Sequence, residues 1–259
     1  MRALAIIPAR LSSRRLPRKI LLRESGKYLV QHVYERVADL PGLARVVVAT
    51  DSAEVREACA SFGAEALMTS PEHSSGTDRV AEAARQLEAR GERFEVVVNV
   101  QGDEPELEPS KVSALLELME GGDPMGTLAE PLSSYEDFAL PQVVKVVLDA
   151  AGRALLFSRA PIPAAARLPE GAPLEALRHV GIYAFRSDFL QLFPRLPVCQ
   201  LELREGLEQL RALYHGHAIR VGVVTPSQGR GIDTRSDYDA FLSRCRSGAP
   251  DQAGDRDIP

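Results

Sequence analysis

Three short apolar runs constrain this chain more than any other feature of its sequence. Ala3-Leu4-Ala5-Ile6-Ile7, Arg45-Val46-Val47-Val48-Ala49-Thr50 and Glu95-Val96-Val97-Val98-Asn99-Val100 are continuous, with no apolar–polar alternation. A strand with one wetted face alternates; a strand covered on both faces does not. The runs therefore predict strands of a parallel sheet covered by helices, an α/β architecture. The stretches between them agree. Residues 28–39 carry Val33, Val37 and Leu40 on one side of a helix. Asp51-Ser52 reads as the N-cap of a helix over 53–62, Gly63 as its C-cap, 64–68 as a shorter strand, and 77–90 as a further helix.

The pattern loosens after Pro105. Residues 109–120 read as a helix, 142–148 and 178–185 as strands, and 161–176 as a long loop rich in Pro and Ala. A helix is expected over 201–214, a strand over 218–224 and a last helix over 235–245. The expected organisation is one domain over 1–247, with a nucleotide-binding front half (1–120) and a second half (121–247) that adds a small subdomain. Residues 248–259 are expected to form a frayed, disordered tail.

Charge narrows the function classes. The 259 residues carry 31 Lys and Arg against 36 Asp and Glu, a net charge of −5, which argues against nucleic acid as a partner. The cysteines Cys59, Cys199 and Cys245 have neither metal-ligand spacing nor the form of a disulfide framework, so a reducing cytoplasm is expected. The first apolar run is too short for a signal peptide, and no run approaches a membrane span, so no membrane insertion is expected.

Against this acidic background the segment after the first strand is cationic: Arg10, Arg14, Arg15, Arg18, Lys19 and Arg23 precede the first carboxylate, Glu24. A cationic loop at the carboxyl end of a buried strand is placed to hold phosphate, although it also reads as a solvated basic loop. The third strand ends in Gln101-Gly102-Asp103-Glu104-Pro105. A carboxylate there, facing the cations, suits Mg²⁺ shared with phosphate oxygens, with Asp103 preferred to Glu104; the acidic pair also reads as support for a helix dipole. Asp233, in Gly231-Ile232-Asp233-Thr234 before the last helix, reads equally as a second ligand or an N-cap. Ser74-Ser75-Gly76-Thr77-Asp78-Arg79 is placed either to read a small polar group or to cap a helix.

Together these residues carry a resemblance. Ile7-Pro8-Ala9-Arg10 through Arg15-Leu16-Pro17-Arg18-Lys19, Ala49-Thr50-Asp51, Ser75-Gly76-Thr77-Asp78-Arg79 and Asn99-Val100-Gln101-Gly102-Asp103-Glu104-Pro105 resemble the sugar-acid cytidylyltransferases. Val144-Lys145-Val146-Val147, Phe157-Ser158-Arg159-Ala160-Pro161, Arg178-His179-Val180-Gly181-Ile182-Tyr183 and Leu207-Glu208-Gln209-Leu210-Arg211 narrow the resemblance to the 3-deoxy-manno-octulosonate (Kdo) cytidylyltransferase family of lipopolysaccharide biosynthesis.

The resemblance implies a Rossmann-like, mostly parallel sheet of the nucleotide-diphospho-sugar transferase type. It also implies transfer of a cytidylyl group from CTP to a sugar acid, with Mg²⁺ as cofactor and a homodimer as the working form. Arg10, Arg15 and Lys19 would hold the triphosphate, Ser75, Gly76 and Thr77 would sit by the cytosine, and Gln101 would lie between nucleotide and acceptor. Asp103 and Asp233 would ligate the metal and, with Lys19, form the catalytic set. Arg159, His179, Tyr183, Glu202, Glu205 and Gln209 would line the acceptor pocket. Without the resemblance, Glu202, Glu205 and Glu208 read as one solvated helix face and His179 as a core histidine. An 8-amino Kdo analogue or a nonulosonate is the alternative acceptor, and a nucleotide-binding paralogue with weak catalysis is the alternative of another class.

The chain departs from the family pattern in the phosphate loop, where Arg18 stands in place of Gly and Ile20 in place of Pro. A Gly position that needs positive φ would be strained by Arg18; alternatively, Arg18 adds a cation to the site.

Overall fold

The apolar runs become adjacent strands of one sheet, nine-stranded among the described residues. The computed structural model describes residues 1–13, 15–164, 174–226, 229 and 231–247. The expected tail 248–259 and residues 165–173 of the expected loop lie outside the described residues. The front half runs β1 (Ala3–Pro8), α1 (Leu29–Val37), β2 (Leu43–Thr50), α2 (Ala53–Ser61), β3 (Ala66–Met68), α3 (Gly76–Ala89), β4 (Val96–Asn99) and α4 (Pro109–Leu118). The second half continues with β5 (Met125–Leu132), α5 (Tyr135–Ala139), β6 (Lys145–Leu148), β7 (Ala154–Ser158), β8 (Ala176–Arg186) and α6 (Ser187–Leu192). It ends with α7 (Gln200–Glu205), α8 (Leu210–Tyr214), β9 (Ile219–Val223) and α9 (Arg235–Arg246).

The main path of the sheet is β3-β2-β1-β4-β8-β5-β9. β1 pairs in parallel with β2 and β4, and β2 with β3, as the continuous runs require. β8 then runs antiparallel to β4, β5 and β6, while β5 and β9 are parallel. Burial on both faces is literal in β1. Leu4 and Ile6 enter one core with α3 and α6, whereas Ala3, Ala5 and Ile7 enter the other with α1, α2 and α4. Alternate residues of a strand point to opposite faces, so a fully covered strand needs apolar residues at every position.

The second half differs from the expectation in detail. β5 and β7 were not foreseen as strands. Met125-Gly126-Thr127-Leu128-Ala129-Glu130-Pro131-Leu132 carries two residues that read as breakers, yet both have a place in the sheet. A Cβ on Gly126 would come within 2.8 Å of Met119 Sδ, so the glycine lets the Met119 side chain pack close against the strand. Pro131 lies beyond Ala129, the last residue paired with β9, so its missing N–H breaks no bond on that side. The helix expected over 201–214 is broken into α7 and α8 at Gly206, whose φ of 61° caps α7 in the left-handed conformation.

α9 matters for the site. Tyr238, Phe241 and Leu242 bury against Leu16 and Leu29 in a small separate core that also holds Ile232. Burying such side chains contributes about 1.5–3 kcal/mol each. This packing seats α9 against the cationic loop and carries Asp233 with it.

Candidate active site

The carboxyl ends of β1, β2 and β4 share one edge of the sheet, with Pro8 opposite Ala49 and Ile6 opposite Asn99. Just beyond β4, Gly102 permits a close approach: a Cβ there would lie 2.7 Å from the Pro8 carbonyl oxygen. The loop from β4 is joined to the segment before α9 by the Ile232 N–H, which donates to the Asp103 carbonyl at 2.8 Å.

Between these loops the expected charged residues meet. Lys19 Nζ donates to Asp103 Oδ2 at 2.5 Å, to the Ile232 carbonyl at 2.9 Å and to Asp233 Oδ1 at 3.3 Å. Arg15 Nη2 lies 2.7 Å from the same Asp233 oxygen. The Lys19 side chain is only 13% exposed, so its charge is screened less than that of a surface lysine. Asp233 is therefore not the N-cap of α9. That position is Thr234, whose hydroxyl accepts from the Asp237 N–H. The four charges stand at one end of a cleft of about 500 Å³, whose wall also includes Arg10, Gln101, His73, Ser75 and Gly76.

Arg18 does not join them. Its φ of 59° confirms that this position takes the left-handed conformation expected of a Gly, and its guanidinium pairs with Glu54 of α2. It lines a separate cavity of about 410 Å³ with Leu21, Tyr28 and Glu57, so it adds no cation to the cleft. Arg18→Gly should leave the CTP KM unchanged. It relieves about 1–2 kcal/mol of left-handed strain but loses an exposed ion pair of about 0–1 kcal/mol and gains unfolded-state freedom of about 0.4–1 kcal/mol. Urea unfolding should place the variant within about 1 kcal/mol of the parent; a raised CTP KM would return Arg18 to the cleft.

At the start of α3, Ser75 is the N-cap: its hydroxyl accepts from the Asp78 N–H at 3.1 Å, and Asp78 in turn accepts from Ser74. Thr77 is buried and donates to Glu208 at 2.8 Å, and Gly76 lies against the Pro8 ring. Gln101 donates to the Gly181 carbonyl at 3.2 Å, tying the loop after β4 to β8.

The remaining predicted residues fall just after β7, on β8 and on the α7–α8 segment, with different partners. Glu205 accepts from the Ser158 hydroxyl at 2.7 Å and from the Arg159 N–H at 2.8 Å, while Arg159 Nε donates to the Glu205 carbonyl at 2.6 Å. Glu202 is occupied elsewhere. Both its oxygens are held by the Arg211 guanidinium, at 2.8 and 2.5 Å. Gln209 is buried, and among the described residues its Nε2 has no protein partner, nor has Glu208 Oε1. Burial raises the Glu208 carboxyl, against hydrogen bonds from Thr77 and Ser75 that lower it. Glu202, Glu205 and Glu208 are thus not a solvated face. Each makes an inward contact, and the turn at Gly206 separates the last from the other two.

His179 Nε2 lies 2.9 Å from the Thr127 hydroxyl, which itself donates to the Ile182 carbonyl at 2.7 Å, so the imidazole is the donor. Burial pushes its pKa down to about 3, and the ring is neutral at physiological pH. It packs between the Phe157 and Tyr183 rings, at centroid distances of 5.0 and 5.4 Å. Burial, aided by Glu208 and Glu104, holds the Tyr183 phenol above its usual range and therefore protonated.

Several contributors escaped the sequence reading. Glu104 turns away from Asp103 into a cavity of about 280 Å³ lined by Lys111, Glu130 and Arg178. Burial, then Asp103, pushes its carboxyl up to about 7. Asp51, read as part of a cap, binds Arg79 Nη2 at 2.9 Å; Arg79 is buried in the cleft wall. Glu208 had a signal, its place in Leu207-Glu208-Gln209-Leu210-Arg211, but the three-residue spacing of the glutamates pointed outward.

A strand-edge cleft with cations and paired carboxylates at one end and a helix N-terminus beside them defines a nucleotide-binding α/β protein. Comparison with known proteins narrows the class. The cytidylyltransferase family model matches residues 4–219. A 3-deoxy-manno-octulosonate cytidylyltransferase of Syntrophobacter fumaroxidans is 50% identical over 244 residues, 93% of this chain and 96% of the relative. One from Anaeromyxobacter sp. is 50% identical over 238 residues, 92% of this chain and 94% of the relative. The solved structure of a CMP:2-keto-3-deoxy-manno-octonic acid synthetase complexed with CTP superposes with a TM-score of 0.88 at 40% identity, over 95% of this chain and 99% of that one. The chain belongs to the 3-deoxy-manno-octulosonate cytidylyltransferase family.

Proposed function

We propose that this protein transfers the cytidylyl group of CTP to 3-deoxy-manno-octulosonate, releasing pyrophosphate, for lipopolysaccharide biosynthesis. The observation that carries the reading is the convergence of Lys19, Arg15, Asp103 and Asp233 at one end of the cleft. The anomeric hydroxyl oxygen bonds to the α-phosphorus, the bond from that phosphorus to the bridging oxygen breaks, and the hydroxyl proton is released. Such a reaction needs positioning and charge neutralisation more than covalent chemistry from the protein.

In this reading Arg10, Arg15 and Lys19 bind the triphosphate. Ser75, Gly76 and Thr77 shape the nucleoside end, Thr77 through Glu208. Gln101, held by the Gly181 carbonyl, stands between nucleotide and acceptor. Arg159, neutral His179, protonated Tyr183, Glu205 and Gln209 form the acceptor side, where neutral rings suit sugar hydroxyls. Glu202 supports that side by orienting Arg211.

Asp103 and Asp233 fit Mg²⁺, because both carboxylates already converge on a single ammonium group. Among the described residues no third acidic, His or Cys ligand joins them, which matches a cation that completes its shell with water and phosphate oxygens. Bound there, Mg²⁺ supplies phosphate-charge screening and a lowered pKa for the attacking hydroxyl.

The acting form is proposed to be a cytoplasmic homodimer. The free thiols Cys59, Cys199 and Cys245 support the compartment, and the exposed Val198, Leu201, Leu203 and Tyr214 support a subunit contact; sedimentation equilibrium would read the latter directly. No helix among the described residues is long and apolar enough to cross a membrane.

The experiment is pyrophosphate release with CTP, Mg²⁺ and competing sugar acids. Kdo should be the preferred acceptor over its 8-amino analogue and a nonulosonate. CTP-dependent thermal stabilisation with no pyrophosphate from any acceptor would instead identify a binding paralogue.

A further inference from the structure

The wall of the cleft also contains a histidine that takes no part in the charged cluster around Lys19. His73 lies in the β3–α3 loop, one-fifth exposed, and lines the cleft beside Ser74, Ser75 and Gly76. Its Nε2 is bound to Glu82 of α3. Glu82 is itself fixed: it accepts from the Ser70 N–H at 2.9 Å and from Gln86 Nε2 at 3.1 Å, and Gln86 also donates to the Met68 carbonyl at 2.8 Å. Burial raises the Glu82 carboxyl, but the hydrogen bonds from Ser70, His73 and Gln86 outweigh it and hold the group below its usual range. The Nε2–H therefore donates to the Glu82 carboxylate, and in that tautomer Nδ1 is left as an acceptor.

The neighbouring polar side chains are already engaged. Ser74 donates to Asp78, Ser75 caps α3, Thr77 donates to Glu208, and Arg79 is held by Asp51 and Thr69. Among the described residues no partner meets His73 Nδ1. We propose that His73, oriented by Glu82, is a nucleoside-binding residue whose Nδ1 accepts a hydrogen bond from a donor of the nucleotide, either the exocyclic amine of the base or the ribose 2′-hydroxyl. The assignment rests on the proposed reading that CTP occupies this cleft. Glu82 is a positioning residue: without it the ring has no fixed tautomer. A base amine at Nδ1 selects cytosine, because uracil offers only a carbonyl oxygen at the corresponding position.

Two near-isosteric variants separate this role from a structural one. His73→Gln can keep the donor to Glu82 but has no second ring nitrogen, whereas His73→Asn places an acceptor oxygen where Nδ1 stood and gives up Glu82. His73→Gln should raise the CTP KM about three- to tenfold, the worth of one neutral hydrogen bond, with kcat little changed. His73→Asn should stay nearer the parent. A loss of preference for CTP over UTP in His73→Gln assigns the amine, and a loss of preference for CTP over dCTP assigns the 2′-hydroxyl. The proposal is overturned if His73→Gln behaves as the parent, if His73→Asn is the worse of the two, or if neither preference changes.

Nitrogen NMR of the parent protein with labelled histidine gives a measurement independent of variant folding: CTP should shift the His73 Nδ1 resonance, and an unshifted resonance also overturns the proposal. A parent enzyme that releases no pyrophosphate would instead sink the functional reading itself.

Discussion

Asp103→Asn should stop turnover while the protein remains folded. Lys19 keeps its bonds to the Ile232 carbonyl and to Asp233, so the loop that carries it stays docked. The variant lacks one of the paired carboxylates proposed for Mg²⁺. Metal stabilisation of transition-state charge is worth several kcal/mol, and each 1.36 kcal/mol is a factor of ten, so kcat should fall by about three orders of magnitude or more. Steady-state pyrophosphate release across a Mg²⁺ titration, with the thermal midpoint as control, checks this. A near-parental kcat at saturating Mg²⁺ would remove Asp103 from the metal site.

The largest stability effect should come from Glu130, which lines the cavity that holds Glu104 rather than the cleft that holds Lys19. Glu130 is fully buried on β5 and accepts from Lys111 Nζ of α4 at 2.5 Å and from Arg178, its cross-strand partner on β8. Glu130→Gln removes the carboxylate that faces both cations and leaves their desolvation poorly compensated. Breaking a buried pair from one side costs about 3–5 kcal/mol, a large part of the stability of a protein this size. Urea unfolding should show a fall of that order, and a loss below about 1 kcal/mol would mean water reaches the cluster.

The sign of the pH dependence follows from the same group. Burial raises the Glu130 carboxyl, but hydrogen bonds from Lys111 and Arg178 hold it below its usual range in the folded protein. Its contribution is therefore present above the unfolded carboxyl pKa and is lost as pH falls through the folded value. In Glu130→Gln the difference from the parent should shrink in that acid range.

The two variants divide along the line between local and distant information. Asp103 was legible because a strand pattern, a Gly and an acidic pair occur within a few residues of one another. Glu130 was not. It lies between a Gly and a Pro in a strand the pattern hid, and its partners come from α4 and β8. The same contrast runs through the acceptor side. Regular spacing of Glu202, Glu205 and Glu208 suggested a solvated helix, because periodicity reports geometry only while the helix continues. Gly206 ends it, and the three carboxylates take three different partners.

Arg18 shows the reverse case, where a local departure was read correctly in one respect and left open in another. The demand for positive φ is a backbone property and follows from the motif. The direction of the side chain depends on where α2 places Glu54, which no local rule supplies.

By itself the sequence determined the buried parallel strands, the order of the loops at their ends and the family to which they belong, since apolar runs, caps and turn residues act within a few positions of themselves. Only the tertiary structure decided which charges meet. Lys19 reaches Asp103 across 84 positions and Asp233 across 214, and it does so because α9 buries its aromatic side chains against Leu16 and Leu29. Hydrophobic burial is non-directional and acts through packing of the whole chain, so the register in which it seats one loop against another is settled only when all the elements are in place.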